Sequence, residues 1–230
     1  MRDLPRRTIT AVVYAAVVLL AVAAPQIVFW IVLAVAGGFG FTELVALRVG
    51  RPTLVLGAVF FIGLICLGLL KAAGASGAGA EIADSLPVWL LVTIIPTWAA
   101  DVAAYLVGSA VGRRRIAPSI SPGKTLEGTV AGVVASAITV LAIALLFGLP
   151  RAPVVVVAIG LGPVGLAGDL IESFVKRRAG VKDSGAILPG HGGLLDRLDS
   201  LAAGAIFVEA VFVAWVLYGF GTEGGIVDRF

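Results

Sequence analysis

Hydrophobic stretches of about 20 residues follow one another along nearly the whole chain, with short polar segments between them. A helix that crosses a bilayer needs about 20 mostly apolar residues, whereas strands of a membrane barrel alternate apolar and polar residues over about 10 positions. The pattern therefore predicts an all-α, polytopic transmembrane bundle. It predicts about seven spans, with six to nine left open, at residues 8–24, 27–47, 53–70, 86–107, 129–149, 153–171 and 201–220.

The amino-acid composition also indicates a protein embedded in a lipid bilayer. Of the 230 residues, 60% are hydrophobic and 13% charged, whereas soluble domains have about 45–50% apolar and about 25% charged residues. The single cysteine, Cys66, excludes a disulfide framework. The basic start and apolar run of residues 1–24 also resemble a signal peptide, but equally apolar segments follow, so we expect a retained first span.

The charges predict the orientation. With seven spans, fourteen of the seventeen basic residues fall on the same side as the N-terminus. Because basic loops stay in the cytoplasm, we expect a multi-pass protein of the cytoplasmic (inner) membrane with a cytoplasmic N-terminus. The two longest polar segments, 112–124 and 176–197, then face the cytoplasm.

The densest polar stretch, residues 168–200, holds five of the fourteen acids and the only histidine, His191. Asp196 and Asp199 are three residues apart at the start of the last span, so they share a helix face. Asp169 lies at the same end of the preceding span. Three carboxylates at neighbouring span ends supply the hard oxygen ligands that Mg²⁺ prefers, and acids near membrane depth are usually functional.

An ordinary structural explanation of the same acids is also open. Asp196 can cap the last helix and pair with Arg197, and Asp169 can pair with Lys176. The convergence of three acids favours the metal site.

A glycine-rich turn, Pro189-Gly190-His191-Gly192-Gly193, precedes the last span. Glycines let the backbone approach a ligand and present its N–H groups to an anion. We favour a ligand-binding loop over a simple re-entry turn, with His191 as a phosphate contact or a proton donor.

The other polar segment contains Gly-Lys-Thr at 123–125, but a P-loop would require glycine where Pro118 stands. A P-loop NTPase is therefore excluded. A phosphate-binding turn remains, with Lys124 as the cation and Thr125 or Ser121 as hydroxyl donors. Thr125 and Glu127 also fit ordinary capping of the following helix.

Two further acids lie within predicted spans. Glu43 is near the cytoplasmic end of the second span, and Asp101 lies deeper in the fourth. Ionisable residues at such depth indicate function by default, and Asp101 is the stronger candidate.

Three stretches resemble the phosphatidate cytidylyltransferase family, also called CDP-diacylglycerol synthases. The longest runs from Ser173 to Asp199 and includes Lys182-Asp183-Ser184-Gly185 and Leu188-Pro189-Gly190-His191-Gly192-Gly193. The other two are residues 101–108 and 121–128. The resemblance covers residues 96–207, and residues 1–95 match only in being hydrophobic. The family often has lysine at the position of Gly123 and a proline within 202–204, where this chain departs from it.

This resemblance implies transfer of CMP from CTP to phosphatidic acid, giving CDP-diacylglycerol and pyrophosphate, with Mg²⁺ and with a second cation such as K⁺ left open. It implies a transmembrane catalytic region at 96–230 after N-terminal spans at 1–95. The catalytic residues implied are Asp169, Lys182, Asp183, His191, Asp196 and Asp199, with the metal on Asp169, Asp196 and Asp199. The substrate-binding residues implied are Asp101, Ser121, Lys124, Thr125, Ser173, Lys176, Arg177, Gly192, Gly193 and Arg197.

The expected partners are CTP, phosphatidic acid and membrane lipids, without nucleic acid, and a homodimer is left open. Another lipid phosphate as acceptor is not excluded, because an acyl groove is only apolar helix surface. A transporter that uses Glu43 and Asp101 as an ion relay is the rival of another class. It would predict related halves, and the sequence has none.

Overall fold

The computed structural model describes residues 4–47, 50–73, 86–185 and 192–218, with side chains from Val12 onward. These residues form seven helices and one hairpin. In chain order the elements are α1 (Leu4–Ala23), α2 (Gln26–Leu47), α3 (Arg51–Ala73), α4 (Val88–Val111), β1 (Arg115–Ala117), β2 (Ser121–Thr125), α5 (Leu126–Phe147), α6 (Arg151–Arg178) and α7 (Leu195–Tyr218).

Six of the described helices, α2 to α7, are long and apolar enough to cross a membrane. They coincide with six of the seven predicted spans, so the all-α polytopic bundle is confirmed. The first predicted span overlaps α1, whose described apolar part, Val12–Ala23, is shorter than a span. With α2 to α7 crossing the membrane in succession, the segments after α2, α4 and α6 lie on the same side. This holds whether or not α1 also crosses.

The hairpin of β1 and β2 is an addition that the sequence pattern does not predict. The two strands are antiparallel, with Arg115 opposite Thr125 and Ala117 opposite Ser121, and the register shifts between these pairs. Strands of three and five residues are too short to show an alternating pattern.

The start of α5 holds this hairpin in place. The Glu127 carboxylate accepts hydrogen bonds from the backbone N–H groups of Arg113 (3.0 Å) and Arg114 (3.3 Å). The Thr125 hydroxyl accepts one from the backbone N–H of Gly128 (3.2 Å). The capping predicted for Thr125 and Glu127 is therefore present. It holds β2 directly against the N-terminal end of α5.

Small residues allow close helix contacts near this end of the bundle. A Cβ atom on Gly128 of α5 would lie 2.6 Å from the carbonyl oxygen of Ala104 in α4. A Cβ atom on Gly168 of α6 would lie 2.6 Å from the carbonyl oxygen of Asp199 in α7. Helices α4 to α7 therefore bring their polar side chains close together.

Candidate active site at the ends of helices α4 to α7

A cavity of about 330 Å³ lies between α4, α5 and α6, with β2 at one end. Four predicted site residues line it: Asp101, Lys124, Thr125 and Asp169. Apolar side chains line another part of the cavity, among them Val133, Leu161 and Leu166. The cavity therefore offers a charged region and an apolar wall to the same ligand.

Lys124 and Asp169 form an ion pair in the charged region. The Ser173 hydroxyl, one helical turn after Asp169, donates a hydrogen bond to the other carboxylate oxygen (3.2 Å). The side chains of Lys124 and Asp169 are 21% and 28% exposed. Because both remain accessible, an anion entering the cavity can take the place of Asp169 at the Lys124 ammonium.

Asp101 faces the same group of charges from α4. It interacts electrostatically with the carboxylate of Asp169 and with the cations of Lys124 and Arg197. The three segments that resemble the cytidylyltransferases, widely separated in sequence, are thus joined at one place in the fold.

Lys176 links α6 to α7 in a second, more buried ion-pair network. Its ammonium group lies 2.5 Å from an Asp196 oxygen and 3.2 Å from a Glu172 oxygen. The Glu172 side chain is only 1% exposed. Asp196 thus pairs with Lys176, and Asp169 with Lys124. The Lys176–Asp196 pair joins α6 to α7, and the Lys124–Asp169 pair joins β2 to α6. The expected contact of Lys176 with a substrate phosphate stays a prediction.

Asp196 also organises the loop before α7. Its carboxylate accepts hydrogen bonds from the backbone N–H groups of Gly193 (2.8 Å) and Ser184 (3.1 Å). Asp196 is the second residue of α7 and binds the loop that precedes the helix, so it does not take the capping role or the pairing with Arg197 that were considered for it. Gly192 has a φ of +82°, and a Cβ atom there would lie 2.5 Å from the Asp196 carboxylate, so this position requires glycine.

Asp199 lies one turn after Asp196, partly buried, and accepts a hydrogen bond from the backbone N–H of Ser200 (2.7 Å). Its carboxyl group interacts electrostatically with those of Glu172 and Asp169. The second oxygen of Glu172 is buried without a hydrogen-bond partner. Two adjoining carboxyl groups repel each other unless they share a proton or a cation.

Glu172 is the central residue that the motifs did not single out. The available signal was its spacing, because it lies three residues after Asp169 and four before Lys176 and so shares their helix face.

The described residues contain no group of three or more His, Cys, Asp or Glu side chains placed to hold a metal ion on their own. The three acids predicted as ligands do not act as one group. Asp196 already accepts hydrogen bonds from the Lys176 ammonium and from the loop backbone. Mg²⁺ is commonly held by one or two carboxylates together with substrate phosphates. Asp169 and Asp199 fit that kind of site.

Several predicted residues do not line the cavity. Arg177 donates hydrogen bonds to the carbonyl oxygens of Ile120 (3.1 Å) and Val181 (3.0 Å), so it fastens the hairpin turn to the end of α6. Lys182 and Asp183 are exposed on the loop after α6. The remaining placements are Ser121 at the start of β2, Gly193 buried before α7, Arg197 exposed in the first turn of α7, and His191 outside the described residues.

Comparisons with known proteins place this site in a sequence family. A family model described as "Cytidylyltransferase family" matches residues 79–215. A protein of Escherichia coli K12 called "Uncharacterized protein YnbB" is 47% identical over 119 residues, which cover 51% of this chain and 39% of that protein.

Other relatives carry the name phosphatidate cytidylyltransferase. The one from Brucella suis is 43% identical over 132 residues, covering 54% of this chain and 49% of the relative. The one from Synechocystis is 47% identical over 122 residues, covering 51% and 41%. The chain thus spans less than half the length of these curated relatives.

Proposed function

We propose, from the premise that this chain belongs to the cytidylyltransferase family, that it transfers CMP from CTP to phosphatidic acid in phospholipid biosynthesis. The products are CDP-diacylglycerol and pyrophosphate. Relatives named phosphatidate cytidylyltransferase support this assignment. The observation that carries it is the cavity in which the Lys124–Asp169 ion pair adjoins an apolar wall among spanning helices.

A lipid phosphate is the substrate that this cavity suits. Its acyl chains require apolar surface, and its phosphate requires a cation at the edge of the membrane. Val133, Leu161 and Leu166 supply the first, and Lys124 supplies the second. A volume of about 330 Å³ is also within the usual range for small-molecule sites.

In the proposed reaction, an ionised phosphate oxygen of the lipid attacks the α-phosphorus of CTP. The new bond joins that oxygen to the α-phosphorus. The bond from the α-phosphorus to the oxygen that bridges to the β-phosphorus breaks, and its electron pair leaves with pyrophosphate. Transfers of this kind depend on alignment and charge neutralisation rather than on covalent help from the protein.

The cations of Lys124 and Arg197 offset the repulsion between the two anionic substrates. Lys124 exchanges Asp169 for a substrate phosphate. Asp196 and Lys176 keep α6 and α7 in place, and so keep Asp169 and Asp199 at the proper separation.

A divalent cation, which we propose to be Mg²⁺, fits the neighbouring carboxyl groups of Asp169, which lines the cavity, and Asp199, once Lys124 has turned to a substrate phosphate. Asp169 and Asp199 would hold it together with phosphate oxygens of CTP, and Glu172 adjoins Asp199. When bound, the cation neutralises charge on the leaving pyrophosphate. A second cation such as K⁺ stays a prediction.

The proposal places the reaction at the cytoplasmic face of the inner membrane. The segments after α2, α4 and α6 share one side of the bundle, and most of the basic residues are near them. That distribution supports a cytoplasmic orientation. A homodimer stays a prediction.

The test is turnover by the purified chain in detergent, supplied with labelled CTP, phosphatidic acid and Mg²⁺. We expect pyrophosphate release that requires the lipid and stops on addition of EDTA. Release only with another lipid phosphate, such as a polyprenyl phosphate, would reassign the acceptor. Intact, monodisperse protein that releases none with any acceptor would contradict the assignment.

A further inference from the structure

The Glu43 carboxylate in α2 contacts the start of α7 across about 150 residues of sequence. One carboxylate oxygen accepts a hydrogen bond from the backbone N–H of Leu194 (2.9 Å). The other accepts from the backbone N–H of Leu195 (2.9 Å) and from the hydroxyl group of Ser184 (3.0 Å). Glu43 is only 4% exposed, so the acid is held in a closed, fully hydrogen-bonded environment.

The loop backbone is shaped around this carboxylate. A Cβ atom on Gly193 would lie 2.6 Å from both Glu43 oxygens, and one on Gly185 would lie 2.6 Å from one of them. Neither glycine could carry a side chain without displacing the Glu43 carboxylate. The glycines of this loop, which suggested a ligand turn from sequence, are therefore also needed for contact with Glu43.

Glu43 and Asp196 hold the same loop from two directions. Ser184 gives its hydroxyl group to Glu43 and its backbone N–H to Asp196. Gly193 gives its backbone N–H to Asp196, and the next two residues give theirs to Glu43. The first turn of α7, which carries Asp196 and leads to Asp199, is thereby fixed relative to α2.

A carboxylate suits this position because the first N–H groups of a helix have no partner within the helix and carry partial positive charge. Hydrogen bonds to a charged acceptor are stronger than those between neutral groups. A glutamine at position 43 would present an NH₂ group to a backbone donor and would lose at least one of the three contacts.

We propose that Glu43 is a positioning residue for the transfer reaction and acts through α7. It lies outside the region that matches the family model, residues 79–215. It holds the first turn of α7, and with it Asp199, whose carboxyl group is close enough to Asp169 to be affected by its charge, without itself touching a substrate. This inference rests on the proposed function for its kinetic consequence, and its structural consequence can be measured without any activity.

The experiment compares Glu43→Gln with the unchanged chain and with Glu209→Gln, all in detergent. Glu209 provides a matched control because it undergoes the same chemical change, lies in α7 and is partly buried, away from the loop. Hydrogen–deuterium exchange of peptides covering 192–200 is the first readout. We expect exchange in this region to be about tenfold to 100-fold faster in Glu43→Gln, and unchanged in Glu209→Gln.

Kinetics provide the second readout. For Glu43→Gln we expect kcat to fall between about tenfold and 100-fold, as a displaced catalytic group predicts. The Mg²⁺ concentration for half-maximal rate should rise, while Glu209→Gln stays at the level of the unchanged chain. Fast exchange with normal kcat and normal Mg²⁺ requirement would reduce Glu43 to a purely structural residue and overturn the proposal.

Unchanged exchange at 192–200 in Glu43→Gln would overturn it as well. If the unchanged chain shows no turnover, the proposed function fails, while the exchange result still reports on whether Glu43 holds α7.

Discussion

Lys124 is the residue at which the geometry and the proposed chemistry meet most closely. It lies in β2 of the hairpin, and its ammonium group pairs with the Asp169 carboxylate in the cavity. Partly exposed ion pairs contribute only about 0–1 kcal/mol to stability, so this pair is easily exchanged for a substrate phosphate. Lys124 is therefore expected to matter for turnover far more than for folding.

Replacing Lys124 by glutamine should lower kcat/KM by about 100-fold, the effect typical of losing one charge-stabilising contact in the transition state. The unfolding midpoint in detergent should change little. Arg178→Gln is the matched control, because this substitution also removes one positive charge. Arg178 lies at the end of α6, where its guanidinium is over the Phe174 ring. Equal losses in the two variants would indicate a general charge effect and contradict the role of Lys124.

Individual residues differ in how far the sequence could predict them. Asp101, Lys124 and Asp169 were selected by motif and depth, and the fold brings them to one cavity. Motif and depth did not single out Glu172, for which the signal was its spacing from Asp169 and Lys176 on one helix face. The contacts of Glu43 could not be found from the sequence, because its partners are remote in sequence, at the start of α7 and in the loop before it. A sequence shows that an acid lies within a span, but not which helix N-terminus it reaches.

At the scale of elements, the contact between α4 and α5 determines the shape of the cavity. It depends on Gly128, where even a methyl group would meet the carbonyl oxygen of Ala104 at 2.6 Å. Because backbone atoms cannot move aside as a flexible side chain can, substitution there must separate the two helices.

Gly128→Ala should therefore lower the free energy of unfolding by about 1–3 kcal/mol, measured by thermal or denaturant unfolding in detergent. Gly38→Ala in α2 is the control, since a Cβ atom there meets nothing within 4 Å. That variant should be neutral or slightly stabilised, because alanine favours helix by up to about 1 kcal/mol. A Gly128→Ala protein as stable as Gly38→Ala would contradict the packing account.

The spans were predictable as elements because each needs a long apolar run, whereas the hairpin was not. Its strands contain proline, glycine and lysine, and no alternation of polar and apolar residues extends over them. Contacts outside the hairpin hold it, in particular the Glu127 carboxylate and the Arg177 guanidinium. Such an element exists because of its tertiary surroundings.

At the scale of the molecule, the direction of the bundle in the membrane decides whether the site can reach CTP. The charge distribution predicts that the segments after α4 and α6 face the cytoplasm. Arg151, at the start of α6, belongs to the opposite side. Orientation follows from the distribution of charges rather than from any contact within the fold.

Cysteine labelling checks this orientation in a Cys66→Ala background, where Cys66 is the single native cysteine. In intact cells, Arg151→Cys should react with a membrane-impermeant thiol reagent, and Arg113→Cys should react only after the membrane is opened. The reverse pattern would place the hairpin outside and contradict the cytoplasmic site.

One part of the chain matches the family model, and the part before it does not. The cavity residues and most of α7 fall within the region that matches the family model, while α2 and α3 lie before it. Glu43 in α2 binds the start of α7 and the loop before it, so under our proposal the unmatched part of the chain, residues 1–78, also positions the site.

Appearance of labelled CMP in the lipid extract is the measurement that tests the central claim most directly. Labelled CTP, phosphatidic acid and Mg²⁺ are incubated with the unchanged chain, with Asp199→Asn and with Glu209→Gln. We predict labelled CDP-diacylglycerol from the unchanged chain and from Glu209→Gln, and none from folded Asp199→Asn or after EDTA treatment. Labelled lipid formed equally by Asp199→Asn would contradict the carboxylate site, and its absence from the unchanged chain would contradict the transfer reaction itself.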